Sequence, residues 1–385
     1  MSKITYIGVD DKDLDLFESQ YAVPEGMCYN SYLVEGEKIA VMDSVDKRKT
    51  DEWLDKLAAA LDGRTPNYLI VQHMEPDHSG SVAAFLQKYP SATVVCSVQA
   101  QKFMLQFNDN LKADIQIVKE GDTIDLGADT VLKFFTAPMV HWPEVIVTYL
   151  ESEQTLFSAD GFGKFGVYDA DPDDWACEAR RYYFNICGKY GNNVAALLKK
   201  AANLKISRIS PLHGPVLEGE KLAEALRLYS IWSAYDVETP GGVLVAYASI
   251  HGNTAVAANK IAEMLKAKGA AKVAVTDLSR DDMAEAIEDA FRMGALVLAC
   301  ATYDGGIFPP MHNFLHKLTI KGFQRRKVGL IENGTWAPQA AKVMRGMLEG
   351  LKDVEIVEPV VSLRSSMKEE NVAQLEALAD AIVSK

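Results

Sequence analysis

Seven side chains able to bind a metal stand in one order along the chain. His73, Glu75, Asp77 and His78 fall in the cluster His73-Met74-Glu75-Pro76-Asp77-His78, and His141, Asp160 and His213 follow. The chain has seven histidines, and four of them belong to this set. Seven ligands are enough for two ions. Three are carboxylates and none is a thiolate, an oxygen-rich mixture that suits iron or manganese better than a structural zinc. His251, His312 and His316 stand alone and read as ordinary core or surface residues.

The neighbouring residues say how such ligands would be held. The cluster follows the apolar run Tyr68-Leu69-Ile70-Val71, a buried strand, and precedes Ser79-Gly80-Ser81, a loop able to cap a helix over Val82, Ala83, Phe85 and Leu86. His141 follows Val131-Leu132-Lys133-Phe134-Phe135 and a break at Pro138. Asp160 ends Thr155-Leu156-Phe157-Ser158, and His213 follows Ile206-Ser207-Arg208-Ile209-Ser210. Four strand ends thus deliver ligands, as sites in α/β proteins require.

The later part of the chain carries a different kind of site. After the strand Val243-Leu244-Val245-Ala246-Tyr247 comes Ser249-Ile250-His251-Gly252-Asn253-Thr254, then an alanine-rich helix from Ala255 to Lys266. Unpaired N–H groups and the positive helix end make such a loop an anion site. It holds no Lys or Arg, so it departs from the nucleotide P-loop and suits a monoester phosphate. Two more strands end in Ala301-Thr302-Tyr303-Asp304-Gly305-Gly306 and Glu332-Asn333-Gly334-Thr335-Trp336. Glycines let backbone approach a planar ring while Tyr303 or Trp336 lies against its face.

The ligand order is similar to that of the metallo-β-lactamase superfamily, with one departure. Its hydrolases carry His-x-His-x-Asp-His, whereas Glu75 stands at the third position here. A carboxylate there favours harder metals and higher oxidation states, turning the expectation from zinc hydrolysis to iron redox chemistry. His-x-Glu-x-Asp-His followed by His, Asp and His resembles the flavodiiron proteins, or A-type flavoproteins. The tripeptide His141-Trp142-Pro143 and the segment Phe157-Ser158-Ala159-Asp160-Gly161-Phe162-Gly163 also resemble motifs of that family. By the resemblance, His73, Glu75 and His141 hold the iron nearer the flavin, Asp77, His78 and His213 hold the other, and Asp160 bridges them. At His78 two arrangements stay open, the ring on the metal or a water in its place. The three loops of the later part resemble the phosphate loop and the two isoalloxazine loops of a flavodoxin-like FMN domain. Where the family commonly has Ser-Tyr-Gly-Trp, this chain has Asn333-Gly334-Thr335-Trp336, which leaves Trp336 as the stacking residue.

The resemblance implies an αββα metallo-β-lactamase-like sandwich over 1–240 and a flavodoxin-like, doubly wound parallel sheet over 241–385. A length of 385 residues suits two domains. The linker is expected in Asp236-Val237-Glu238-Thr239-Pro240-Gly241-Gly242, and helices over 282–293 and 372–383. The implied activity takes electrons from an external donor through FMN to a non-haem diiron site and reduces O2 to water, NO to N2O, or both, detoxifying these gases in an anaerobe. Trp142, Tyr182 and Tyr183 are candidates for the pocket wall or proton delivery. A head-to-tail homodimer, or a dimer of dimers, is implied as well, because nothing in one chain makes the two sites face each other. A dizinc hydrolase fused to a flavodoxin domain is opposed by Glu75. A non-catalytic flavin electron carrier is opposed by the cost of gathering carboxylates at strand ends.

Composition bounds the partners. Cys28, Cys96, Cys177, Cys187 and Cys300 form no Cys-x-x-Cys pair, so they read as reduced thiols of a cytoplasmic protein with no rubredoxin or iron–sulfur module. The donor would then be separate: a rubredoxin, a flavin reductase or a reduced deazaflavin. A net charge of −13 disfavours nucleic acid and anionic membrane. Arg325-Arg326-Lys327 is a candidate basic patch for donor docking. No apolar run approaches the length of a membrane span.

Overall fold

Strand Tyr68–Ile70, which leads into the ligand cluster, pairs in parallel with Ile39–Met42 on one side and Thr93–Cys96 on the other. The computed structural model describes residues 3–168 and 175–384. Among these, Lys3–Tyr6, Tyr32–Glu35 and Asp114–Ile117 complete the sheet to six strands. A second sheet runs in the order Thr123–Asp125, Val131–Thr136, Ile146–Leu150, Thr155–Phe157, Arg208–Ser210 and Leu217–Glu218. Their inner faces share one core. Tyr32, Val34, Met42, Ile70 and Val95 of the first sheet meet Leu132, Phe134, Ile146, Leu150 and Phe157 of the second. Helices cover the sheets: Thr50–Leu61 buries Trp53, Leu57 and Leu61 on one face, and the Trp53 ring lies 6.0 Å from Phe85 on helix Val82–Lys88.

A third large sheet has five parallel strands in the order Lys272–Asp277, Thr239–Ala248, Met293–Tyr303, Lys327–Asn333 and Glu355–Leu363, with Gly306–Ile307 paired antiparallel to the end of the third. Odd-numbered strand residues such as Val243, Val245, Val297 and Ala299 pack with helices Asn253–Ala267 and Glu369–Val383. Helices Met283–Arg292, Pro309–Ile320 and Ala340–Leu348 take the opposite face. The expected helix at 282 thus starts one residue later, because Asp282 is its cap and accepts the N–H of Ala284. The helix expected from 372 begins at Glu369.

The chain divides into two units, Met1–Ser230 and Ile231–Lys385, the divide falling within helix Gly219–Ser233. The segment 236–242 is less free than a linker. Strand Thr239–Ala248 begins inside it, and a Cβ on Gly242 would stand 2.6 Å from the Met293 sulfur, so the glycine permits a close strand approach. The triplet Arg325-Arg326-Lys327 is not a free cationic patch. Arg326 is buried and donates to the carbonyls of Tyr235, Asp236 and Phe291. Arg325 pairs with Asp236, and Lys327 donates to the Ser384 carbonyl. Among the described residues, no helix is long and apolar enough to cross a membrane.

Candidate metal centre and cofactor cleft

The ligand cluster is shaped by its neighbour in the sheet. Asp43, at the end of Ile39–Met42, is buried with a φ of 53°. Its Oδ1 accepts the N–H of Gln72 at 2.7 Å and of His73 at 3.4 Å, and its Oδ2 accepts Gln72 Nε2 at 2.8 Å. Burial pushes the Asp43 carboxyl up to about 6, against these hydrogen bonds. The Ser44 hydroxyl donates to the carbonyl of His78 at 2.6 Å. Pro76–Ser79 form one helical turn with Pro76 at its start, so Ser79 of the expected loop is helical, and the turn carries Asp77 and His78. Ser81 precedes helix Val82–Lys88 without a capping bond, because its hydroxyl is paired with Thr50 at 2.7 Å.

All seven ligand candidates converge. They form two groups, one of His73, Glu75, His141 and Asp160, the other of Asp77, His78 and His213. Every histidine turns Nε2 inward. Glu75 Oε2 lies 3.3 Å from His73 Nε2 and 2.9 Å from His141 Nε2. Asp77 Oδ2 lies 3.2 Å from both His78 Nε2 and His213 Nε2. Asp160 faces both groups: Oδ2 is 3.3 Å from His73 and 2.9 Å from His141, while Oδ1 is 3.2 Å from His78 and 3.8 Å from His213.

This spacing fits metal ions. Donor atoms bound at about 2.1 Å and at right angles around one ion stand about 3 Å apart. Two further observations agree. His78 Nε2 and His213 Nε2 stand 2.9 Å apart, an approach that two lone pairs tolerate only with a cation or proton between them. Both oxygens of Asp77 and Oδ1 of Asp160 are buried without a hydrogen-bond partner.

The same crowding moves the proton equilibria. Burial opposes charge on His78 and His141, but Asp77 and Asp160 outweigh it at His78 and lift the ring to about 10. Asp160 and Glu75 lift His141 to about 9. Burial likewise opposes charge on Asp77 and Asp160, yet the histidines hold both below the usual carboxylate range. The metal-free centre therefore holds protons on these rings at pH 7, and a metal must displace them. Fe(II) binding to metal-free protein is expected to release protons at pH 7 and to tighten as pH rises towards 9. Calorimetric titration in buffers of different ionisation enthalpy checks this; a pH-independent affinity would contradict it.

Around the centre the aromatic candidates part company. Trp142 lies edge-on to His73 at 5.3 Å and, with Phe103, Phe107, Met139, His141 and Tyr190, lines an apolar hollow of about 350 Å³. Tyr182 is fully buried with its ring 5.6 Å from His213, and its hydroxyl has no hydrogen-bond partner. Burial, then the charge of Asp160, holds that hydroxyl well above its ordinary pKa. Tyr183 packs instead against Phe184 and Tyr229, both 5.1 Å away. A second hollow of about 560 Å³ opens at Glu75 and Asp77 and is lined by Glu18, Tyr29 and Arg48. Glu18 sits in a tight turn at φ 47°, and burial, then Glu75, pushes it up to about 7. Sequence reasoning missed Asp43 and Glu18. It also missed Glu144, whose one signal was an acidic residue directly after His141-Trp142-Pro143.

The cleft at the carboxyl ends of the parallel strands has a volume of about 660 Å³ and is lined by Ser249, Ile250, His251, Asn253, Thr254, Thr302, Tyr303, Asp304, Gly305, Asn333, Gly334, Thr335 and Trp336. Gly252 and Gly306 do not line it, and Ala301, Ala337, Gln339 and Ser365 do. Gly252 shapes the loop from behind: at φ 88° it precedes helix Asn253–Ala267, and its N–H donates to Ser249 Oγ at 3.1 Å. Thr302 Oγ1 accepts N–H groups of Gln339 and Ala340, tying the second loop to the third. Asn333 is a brace, bonded through both side-chain atoms to the backbone of Ser365. Trp336 is 87% exposed and Tyr303 44%, so their faces are available to a flat ring. Size, helix N-terminus, hydroxyls and exposed aromatics fit a flavin mononucleotide.

Comparison with known proteins agrees with both sites. Residues 27–214 match the family described as ODP family beta lactamase, and residues 245–372 match flavodoxin. The chain is 27% identical over 345 residues to the anaerobic nitric oxide reductase flavorubredoxin of Aliivibrio fischeri, covering 87% of this chain and 69% of that one. It is 35% identical over 287 residues to diflavin flavoprotein A 1 of Synechocystis, covering 73% of this chain and 50% of the relative. The solved flavodiiron protein of Giardia intestinalis superposes with a TM-score of 0.91 at 25% identity, covering 98% of this chain and 94% of that one.

Proposed function

The chain belongs to the flavodiiron family, and on that premise we propose that it takes electrons from an external donor through FMN to a diiron site and reduces O2 to water, NO to N2O, or both. The observation that carries this reading is Asp160, whose two oxygens face two separate ligand groups, each with a carboxylate of its own. His73, Glu75 and His141 would hold one iron, Asp77, His78 and His213 the other, and Asp160 would bridge. The inward Nε2 of His78 favours the ring as ligand over a substituting water. Bound iron supplies one-electron redox chemistry at open positions, and FMN supplies electrons stored in pairs.

The chain's own residues do the rest. Reduction of either gas consumes protons, and the buried Tyr182 hydroxyl, which has no hydrogen-bond partner and stays protonated, can donate a hydrogen bond at the centre rather than give up its proton. Glu144 and Asp43 fix the His73 backbone and ring, while Trp142 and Phe103 keep the His141 side apolar. The FMN module is proposed to span 241–385, with Ser249–Thr254 at the phosphate and Trp336 stacked on the ring, and the diiron module 1–240.

A head-to-tail homodimer, or a dimer of dimers, is part of the proposal. Val98, Leu105 and Phe107 are exposed on the helix whose Phe103 and Phe107 line the hollow at His141, and Ile250, Tyr303 and Trp336 are exposed at the flavin cleft. A closed symmetric dimer would cover both apolar rims and bring flavin and iron of different subunits together. The donor is proposed to be a rubredoxin or a flavin or deazaflavin reductant. The buried thiols of Cys28, Cys96 and Cys300 are in keeping with a cytoplasmic setting. Rapid mixing tests the function: protein reduced anaerobically should have its flavin reoxidised by O2 or NO much faster with iron than without. Equal rates would reject the reading.

A further inference from the structure

The histidines of the two ligand groups are backed differently. His73 Nδ1 donates to Glu144 Oε1 at 2.8 Å, and the same oxygen accepts the N–H of Met74 at 2.8 Å. Glu144 is buried, and its Oε2 has no hydrogen-bond partner. Its backbone is pinned as well, since its carbonyl accepts the Ser97 hydroxyl at 2.7 Å and Ser97 caps helix Val98–Phe107. In the other group, His213 Nδ1 donates to the neutral carbonyl of Cys28 at 2.7 Å, and His78 Nδ1 is buried without a partner.

We propose that Glu144 is a positioning residue that makes the two iron positions unequal: it binds His73 Nδ1, so the position built by His73, Glu75 and His141 holds its ion more tightly and favours the ferric state there. The inference rests on the diiron reading above. A carboxylate behind an imidazole fixes the tautomer and makes the ring a stronger donor, which a backbone carbonyl does less. A carboxylate buried with one bare oxygen is costly on its own, and a nearby cation offsets that cost. With an iron pair bound, Glu144 would favour loss of the first electron on the His73 side when a chemical oxidant is added, so a half-oxidised form would stay populated.

The test compares wild type with Glu144→Gln, which keeps the shape and an acceptor but removes the charge, and with Glu144→Asp, which keeps the charge. Iron affinity is measured by anaerobic titration. The half-oxidised pair is followed by electron paramagnetic resonance during a ferricyanide titration, with FMN content as a check on folding. Glu144→Gln is expected to bind one of its two irons about tenfold more weakly and to lose most of the half-oxidised signal, with Glu144→Asp restoring part of both. Wild-type affinity and signal in Glu144→Gln would overturn the proposal, and so would equal losses in Glu144→Gln and Glu144→Asp. A wild-type protein that binds no iron pair would overturn the diiron reading along with it, so the two failures are told apart.

Discussion

Asp160→Ala should abolish reduction of O2 and NO while leaving FMN bound. Among the carboxylate candidates, Asp160 alone comes within 4 Å of histidines in both groups: His73 and His141 lie on Oδ2, His78 and His213 on Oδ1. Without it, Glu75 and Asp77 are the carboxylates left among the ligand candidates to balance two ions, and nothing shields one ion from the other. Loss of the metal's contribution to the barrier, several kcal/mol, corresponds to a fall in turnover of at least about 1,000-fold. Asp160→Asn keeps the shape and one acceptor oxygen without the charge and should fall between. Iron and FMN per chain, measured beside gas consumption, check the result. Full iron occupancy with normal turnover in Asp160→Ala would remove Asp160 from the centre.

The second large effect is a rescue. Asp160→Ala should lose the iron pair, and a variant with Thr254→Ala and Trp336→Ala should lose FMN, because Thr254 is buried at the cleft floor and Trp336 is its exposed aromatic wall. Each protein alone should be inactive. In a head-to-tail dimer, a mixed pair sets the good flavin of one subunit against the good iron pair of the other. Random exchange makes about half the dimers mixed, each with one working site of two, so activity should return to about a quarter of wild type. Unfolding the two variants together, refolding them and assaying NO or O2 consumption gives the answer. No rescue, with mixed dimers shown by differential tags, would place electron transfer within one chain.

How far the sequence could be read depends on how local each signal is. The cluster from His73 to His78 packs four ligands of three types into six residues beside an apolar run, so its chemistry shows without a fold. His141, Asp160 and His213 could be joined to it because each follows a strand pattern. Glu144 and Asp43 could not be tied to His73, since their hydrogen bonds span 71 and 30 residues and exist only once strands take their register. Arg326 shows the opposite hazard. Three basic residues in a row look like a docking patch, yet the carbonyls of Tyr235, Asp236 and Phe291 converge on the middle one and bury it. Gly241-Gly242 reads as punctuation between domains, whereas these glycines lie within the long strand Thr239–Ala248. Ser365 entered the flavin cleft unannounced, because it lies beyond the end of the fifth strand and reaches the cleft through Asn333.

One measurement bears most directly on the central claim: metal and flavin per chain in anaerobically reconstituted protein, with O2 and NO consumption followed in parallel for iron-loaded and zinc-loaded samples. The account predicts about two irons and about one FMN per chain, with gas consumed only by the iron form. Two zincs held in preference to iron, with no gas consumed by either form, would contradict it and restore the hydrolase that Glu75 argues against.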